Sequence, residues 1–381
     1  MAIITTIEEL RQQAKRRVPK MFYDYADSGS WTETTYRANQ TDLEQIKFRQ
    51  RVAIDMTNRT TKTNMAGQAA SMPVAIAPTG LTGMQIADGE ILAAQAAAEF
   101  GIPFTLSTMS VCSIEDVAKH SSAPFWFQLY VMRDHEFSKK LVERAKAAEC
   151  SALVVTLDLQ LLGQRHKDIK NGLSTPPKLT LKNIINMATK PAWCLGMMGT
   201  RRHHFGNIVG HVDGVSDLSS LSSWVGDQFD LALDWDDIAR IRDWWGGKLI
   251  LKGIMDPEDA KQAQKIGADA LVVSNHGGRQ LDGAETSIAM LPEVAAAVGD
   301  KIDVWMDGGI RSGQDVLKAI ALGAKGVMIG RAFLYGLGAN GKQGVTDALQ
   351  IIHKELDYTM AMCGHRDIHN VDRQIIRSCP F

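Results

Sequence analysis

The sequence predicts an α/β chain folded as a (β/α)8 TIM barrel, with a helical N-terminal extension and a long loop after strand 4. Three observations predict it. First, AKAAECSALVVT (Ala145 to Thr156), AQKIGADALVVS (Ala263 to Ser274) and AIALGAKGVMIG (Ala319 to Gly330) repeat one pattern: a helix end, a break and a short apolar strand. Second, those strands have no polar face, as expected of a parallel sheet covered on both sides. Third, strands of this kind number eight, and helical patterns follow nearly all of them. A doubly wound sheet is the alternative, weakened because no G-x-G-x-x-G follows the first strand.

The elements are read in order as one domain spanning residues 1–381. Residues 1–72 form the extension. Its start, MAIITTIEELRQQAKRRVPK, mixes acids and bases without a long apolar core, so it reads as an amphipathic helix and not as a signal peptide. Residues 73–362 form the barrel. Its strands are expected at Pro73–Ala77, Pro103–Ser107, Pro124–Leu129, Ala152–Leu157, Lys248–Leu251, Ala270–Val273, Ile302–Met306 and Gly326–Ile329. Helical patterns such as GEILAAQAAAEF and SGQDVLKAIALG follow the first and seventh. Two of the three repeats break at glycine, where a left-handed C-cap costs least. Roughly 90 residues separate strands four and five, far beyond an ordinary βα loop. The inserted loop, 159–235, is therefore functional, mobile or both. Residues 363–381 are an interface arm or a loose tail.

Composition narrows the function. Hydrophobic residues make up 45% and charged residues 22%, and the net charge is −1, so bulk attraction to nucleic acid is not expected. The five cysteines are scattered and form no CxxC pair, which argues against a disulfide framework or a zinc knuckle and fits a reducing compartment. No metal site is expected. No run approaches the ~18 apolar residues that a transmembrane helix needs.

In a barrel of this kind, chemistry sits at the C-terminal ends of the strands. Those ends read Pro78-Thr79-Gly80, Ser107, Gln128 with Tyr130, Thr156 with Asp158, Lys252, Ser274 with His276 and Arg279, Asp307-Gly308-Gly309 with Arg311, and Gly330-Arg331. One polar strand end is usually a turn or cap; eight converging on one face point to a site. DGGIRSG and IGRAF place glycine amides and arginine forks where barrels often bind phosphate. Lys252 ends an apolar run and suits either a Schiff base or a cation beneath an electron-rich cofactor; a lysine snorkelling at the rim is the plain alternative. His276 can take and return protons near neutral pH, Arg279 can grip a carboxylate with two hydrogen bonds, and Asp158 can pair with an imidazolium. Alone, His276 would read as a hydrogen-bonded structural histidine. Beside GGR it reads as a base with an open approach.

SNHGGRQLDG, DGGIRSGQDV, FQLYV, VTLD, APTG and MFYDYADSG together resemble the FMN-dependent 2-hydroxy-acid dehydrogenases and oxidases, from about Leu10 to Asp372. STMSVCSIEDV, GQRHKDIKNG, ILKGIMDPEDA and GRAFLYGL are most similar to bacterial L-lactate dehydrogenases of the respiratory type. The resemblance implies FMN as cofactor and oxidation of an L-2-hydroxy acid, lactate to pyruvate, with a quinone or cytochrome as acceptor. A mandelate-type dehydrogenase or a peroxide-producing oxidase is the alternative, and a Schiff-base aldolase using Lys252 a remote one. It implies His276 as base, Asp158 as its carboxylate, Arg279 and Arg165 on the substrate carboxylate with Tyr25, and Tyr130 on the hydroxyl. Gly80 and Met109 would line the substrate pocket, with Gly80 where glycolate oxidases commonly carry alanine. Pro78, Thr79, Gly80, Ser107, Gln128, Thr156, Lys252 and Ser274 would hold the flavin ring, and Asp307, Gly309, Arg311, Gly330 and Arg331 its ribityl phosphate. A homo-oligomer, a tetramer in the family, is also implied.

From Ile169 to Val212 there is no Asp or Glu, while Lys170, Lys178, Lys182, Lys190, Arg201 and Arg202 are interleaved with Leu, Ile, Met and Trp. That composition suits a segment lying on a membrane surface. A lid packing its Met and Trp on the barrel is the other reading. The expected location is cytoplasmic, peripheral on the inner face of the cell membrane.

Overall fold

A computed structural model describes residues 3–173, 180–211 and 228–381. Eight parallel strands form the barrel: β1 (Val74–Ile76), β2 (Thr105–Ser107), β3 (Trp126–Tyr130), β4 (Ala152–Thr156), β5 (Lys248–Ile254), β6 (Ala270–Val273), β7 (Asp303–Met306) and β8 (Gly326–Ile329). They pair in the order β1-β8-β7-β6-β5-β4-β3-β2. A parallel bridge between Ile76 and Phe104 joins β1 to β2 and brings the two ends of the sheet together. The doubly wound alternative is thereby excluded. The eight expected strands all form, most with ends trimmed by one or two residues. β5 runs longer than expected because a bulge at Gly253, in the left-handed region, carries the strand past Lys252.

Alternate side chains point inward and fill the barrel: Ala75, Trp126, Ala152, Val154, Ile250, Ala270, Val272, Trp305 and Met328 are all buried together. Trp126 and Trp305 stack across the axis with ring centroids 5.3 Å apart, a pairing that contributes about 1 kcal/mol beyond the area it buries. The base is closed by Met65 and Ala70 from a hairpin, Thr63–Met65 with Gln68–Ala70. That hairpin lies in the stretch expected to be helical.

Elsewhere the extension has helices at Ile7–Arg17, Lys20–Ala26 and Thr34–Gln45 and a short strand at Lys47–Phe48, while 49–62 form no helix, so the extension is helical only in part. The first helix starts with a capping box, Thr6 with Glu9. The third helix crosses the loops after β6 and β7. A Cβ at Gly278 would lie 2.5 Å from the Tyr36 Cα and one at Gly309 would collide with the Asn39 carbonyl, and both glycines have positive φ. The tail is not loose: Ile376–Ser378 pairs with Lys47–Phe48, and Ile368 and Ile375 are buried.

Among the described residues, the insertion carries helices His166–Lys170, Leu181–Ala188 and Pro191–Gly199. No described helix is long and apolar enough to cross a membrane.

Candidate functional site

At the mouth of the barrel, His276 sits at φ +58, which aims its ring across the strand ends toward Asp158. The turn is fixed by the His276 and Gly278 amides, which donate to Ser274 Oγ at 3.1 Å and Asn275 Oδ1 at 3.0 Å. Asn275 and Asn39 exchange reciprocal amide hydrogen bonds of 2.9 Å. The paired glycines, expected to leave an open approach, are instead filled by the third helix of the extension and by Arg331.

His276 Nδ1 lies 2.9 Å from Asp158 Oδ1. With Nδ1 protonated toward the carboxylate, the Nε2 lone pair faces the mouth and has no partner among the described residues. Burial opposes ionisation of Asp158, but the charge and hydrogen bond of His276, with Lys252 nearby, outweigh it and hold the carboxyl below its ordinary value. The bulge at Gly253 makes room for Asp158, whose Cγ would lie 2.7 Å from a Cβ there.

Opposite this pair is a cationic slot. Arg279 and Arg165 both face the Tyr25 ring, 4.8 and 5.7 Å from its centroid. Arg279 Nη1 donates to the carbonyls of Tyr25 and Ser28, leaving Nε and Nη2 without a partner among the described residues. Arg165 is paired with Asp168 through Nε at 2.6 Å. Burial, then the like charge of Arg165, pull the Arg279 guanidinium down to about 10. An anion placed between the two arginines removes that repulsion. Tyr130 stands alongside, its phenol raised well above the ordinary value by burial and then by Tyr25 and Asp158, so it remains a hydrogen-bond donor. Gly80 closes the pocket: a Cβ there would lie 3.1 Å from the Tyr25 hydroxyl and 3.2 Å from Met109 Cβ. Glycine at this position lets Tyr25 and Met109 draw together.

Below the mouth is a second group of polar side chains. Lys252 is buried, ion-paired with Asp307 at 2.8 Å and donating to Ser274 Oγ at 2.8 Å. Ser107 donates to Gln128 Oε1 at 3.0 Å. Gln128 Nε2, Thr156 Oγ1 and Asp307 Oδ1 are buried without partners. Unpaired buried polar atoms are costly, so these mark where a ligand's own donors and acceptors belong. Next to them, the helix that opens at Arg331 has Gly330 as its N-cap and no side-chain cap, and the Gly309 amide has no partner among the described residues. An uncapped helix start beside a free amide suits a phosphate. Arg311 packs on the Tyr335 ring at 5.6 Å. The Arg331 guanidinium is engaged elsewhere, by the carbonyls of Ala26, Ser28 and Gly277. What it offers an anion here is its amide at the helix start. Thr79 turns its hydroxyl onto Thr82 at 2.7 Å. A planar polar ring over Lys252 with a phosphate at Gly309 and Gly330 fits this donor set.

The reading from sequence missed several residues that hold the site. Asn207, fully buried, donates to the carbonyls of Ser107 and Thr108 and to Ser110 Oγ, and accepts from the Ile114 amide at 2.9 Å. FGNIVG carries no periodic signal that could have singled it out. Asp168 lay unassigned within GQRHKDIKNG, and Asp27 within MFYDYADSG.

The insertion has two faces. Trp193 stacks on Phe22 with centroids 5.6 Å apart and donates to the Met84 carbonyl, and Met197 is buried. Leu181, Ile184, Ile185, Leu195 and Met198 are exposed, Leu181 and Met198 by 73% and 74%. The part of the segment at 174–179, and Val212, lie outside the described residues.

Comparison with known proteins agrees. The family model for FMN-dependent dehydrogenases matches residues 14–378. The chain is 46% identical over 376 residues to an L-lactate dehydrogenase of Caulobacter sp. (strain K31), covering 98% of both chains. Its fold matches the crystal structure of the monotopic membrane protein (S)-mandelate dehydrogenase with a TM-score of 0.94 at 34% identity, covering 99% of this chain and 100% of the other. A soluble mutant of the membrane-associated (S)-mandelate dehydrogenase from Pseudomonas putida matches with a TM-score of 0.83 at 35% identity, over 98% and 99%.

Proposed function

The chain belongs to the FMN-dependent dehydrogenase family, an enzyme of flavin-dependent L-2-hydroxy-acid oxidation, and from that premise we propose that it oxidises L-lactate to pyruvate at a membrane surface and passes the electrons to a quinone or cytochrome. The observation that carries this reading is the His276–Asp158 pair set against two arginines stacked on Tyr25. FMN, when bound, supplies the two-electron acceptor. Lys252, Ser107, Gln128, Thr156 and Ser274 would hold its ring, with the backbone at Pro78, Thr79 and Gly80. Asp307, Gly309, Arg311, Gly330 and Arg331 form its ribityl-phosphate corner.

The protein's own groups then act on the substrate. Arg279 and Arg165 hold the carboxylate, which brings the reacting carbon to a fixed distance from the ring position; such orientation contributes several kcal/mol. Tyr130 donates to the substrate oxygen, while Gly80 and Met109 bound its side chain. His276 Nε2 accepts a proton from the substrate, from its hydroxyl or its α-carbon, and Asp158 stabilises the imidazolium that forms. With FMN bound, Lys252 would place a positive charge beside it and favour its uptake of electrons. The Lys252–Asp307 ion pair speaks against an amine poised to form a Schiff base. Lactate is favoured over mandelate by the higher identity to an L-lactate dehydrogenase.

The membrane reading rests on the exposed apolar face of the insertion, whose exposed Lys182 complements anionic lipid, and on the likeness to a monotopic membrane dehydrogenase. We place the enzyme on the cytoplasmic side as a peripheral protein and expect a homo-oligomer.

The test is spectroscopic. Holoenzyme under argon is mixed with L-lactate, D-lactate or (S)-mandelate, and the flavin absorbance is followed. Bleaching by L-lactate with the highest kcat/KM is expected, and a flavin that stays oxidised with all three removes the reading. His276→Gln is expected to keep FMN and lose reduction. Stoichiometric peroxide per turnover in air would make the protein an oxidase instead.

A further inference from the structure

The turn that ends helix Lys20–Ala26 is held by cations from three directions. Arg279 Nη1 donates to Tyr25 O at 2.6 Å and Ser28 O at 3.1 Å. Arg331 donates to Ala26 O through Nε at 2.9 Å and to Ser28 O through Nη2 at 2.8 Å. Lys167 Nζ donates to Asp27 O at 3.0 Å. Four successive carbonyls at the negative end of a helix thus meet positive charge from the loop after β6, the loop after β8 and the insertion.

Beneath the turn lies the Asp27 carboxylate, buried. It accepts from the hydroxyls of Tyr23 at 3.1 Å, Tyr36 at 2.9 Å and Tyr335 at 2.6 Å, and from Arg11 Nη2 at 2.9 Å. Two of those phenols cover the arginines of the phosphate corner: the Tyr36 ring lies 4.4 Å from Arg331, and Tyr335 is under Arg311. One carboxylate therefore fixes two rings under the phosphate corner. Through its own main chain it also fixes the carbonyls that orient Arg279.

We propose that Asp27 is a positioning residue that ties the cofactor's phosphate corner to the substrate's carboxylate slot, so that loss of its charge weakens both together. The proposal rests on the functional reading above, because it takes Arg279 as the carboxylate grip. Asp27 itself touches neither ligand. Replacement by asparagine keeps the shape but removes the charge that Arg11 and three hydroxyls share, so those donors compete for one neutral oxygen.

The experiment compares wild-type holoenzyme with Asp27→Asn and Tyr36→Phe. FMN release on dilution is read from the rise in flavin fluorescence, and kcat and KM for L-lactate are measured separately. Asp27→Asn is expected to raise the FMN dissociation constant about tenfold and KM by a similar factor, with kcat within about threefold. Tyr36→Phe keeps the ring over Arg331, and smaller rises of about threefold in both are expected. A lower thermal midpoint with neither quantity changed would mean a purely structural role and overturn the proposal. A rise in FMN release with KM unchanged overturns it too. Should Asp27→Asn not fold, Tyr36→Phe decides by the same two readings. Fluorescent FMN release needs no turnover, so an enzyme that ignores lactate sinks the functional reading without silencing this measurement.

Discussion

The second and third helices of the N-terminal extension and the insertion after β4 both lie over the C-terminal end of the barrel, and they are fastened by different physics. The extension covers the loops after β6, β7 and β8 at backbone contact, with Asn39 against Gly309 and Tyr36 against Gly278. The polar groups it brings to those loops are buried and have to be paired, and Asp27, Asn39 and Ser28 are. The insertion reaches the loops after β1, β2 and β3. Arg202 bridges Asp88 and Asp116 at 3.0 and 2.7 Å, all three partly exposed, and Asn207 and Ile208 are fully buried anchors. Beyond those anchors it turns apolar side chains outward. The two meet at helix Lys20–Ala26, where Asn171 Nδ2 donates to Asp24 Oδ2 at 2.7 Å and the Lys20 amide to Asn186 Oδ1 at 2.7 Å. A segment added to a barrel becomes part of the site when its polar atoms are desolvated against the strand ends. It remains free to meet another surface when they are not.

The largest expected effect sharpens this contrast at the two arginines. Arg279 is oriented by the extension and has no carboxylate partner among the described residues, whereas Arg165, on the insertion, is already paired with Asp168. Arg279→Met should lower kcat/KM for L-lactate about 10³-fold and Arg165→Met only about tenfold to a hundredfold, measured at saturating acceptor. Equal losses would show that both segments build the slot alike. Next comes the outward face. Replacing Leu181, Ile184 and Ile185 together by serine should weaken partition onto anionic vesicles roughly 10²-fold while kcat stays within about twofold.

A smaller effect is read by pH. Burial opposes ionisation of Asp27, but hydrogen bonds from Arg11, Tyr335 and Tyr36 outweigh it and set the carboxyl at about 2, below the ordinary 3.8. A depressed carboxyl stabilises the fold fully above its ordinary value, and that contribution fades as pH falls through about 2. The shift corresponds to about 2 kcal/mol. Urea unfolding from pH 6 to pH 3 should therefore show a shallower loss of stability in Asp27→Asn than in the wild type. The smallest effect belongs to the insertion's exposed ion pairs: Arg202→Ala should cost less than about 1 kcal/mol and should cost less still in high salt.

Much of this site was legible along the chain. His276, Asp158, Lys252, Arg279 and the polar strand ends fall where a periodic apolar run stops, and that interruption is a local signal. The glycines of SNHGGRQLDG were visible as well, but their purpose was not. They admit the backbone of Tyr36 and the guanidinium of Arg331, groups distant in sequence. Asn207 and the base hairpin at 63–70 gave no periodic pattern, since each works through contacts with other strands.

The sequence by itself determined the barrel, because alternation of helix and apolar strand is a property of short windows and of side-chain burial, as it also determined which residues end the strands. The tertiary structure decided who meets whom. His276 finds Asp158 across 118 positions, and Asp27 finds Tyr335 across 308. Such pairings depend on closure of the sheet and on the path of the extension over it. Hydrogen bonds act over about 3 Å, and no local spacing encodes which distant atoms the fold will bring that close.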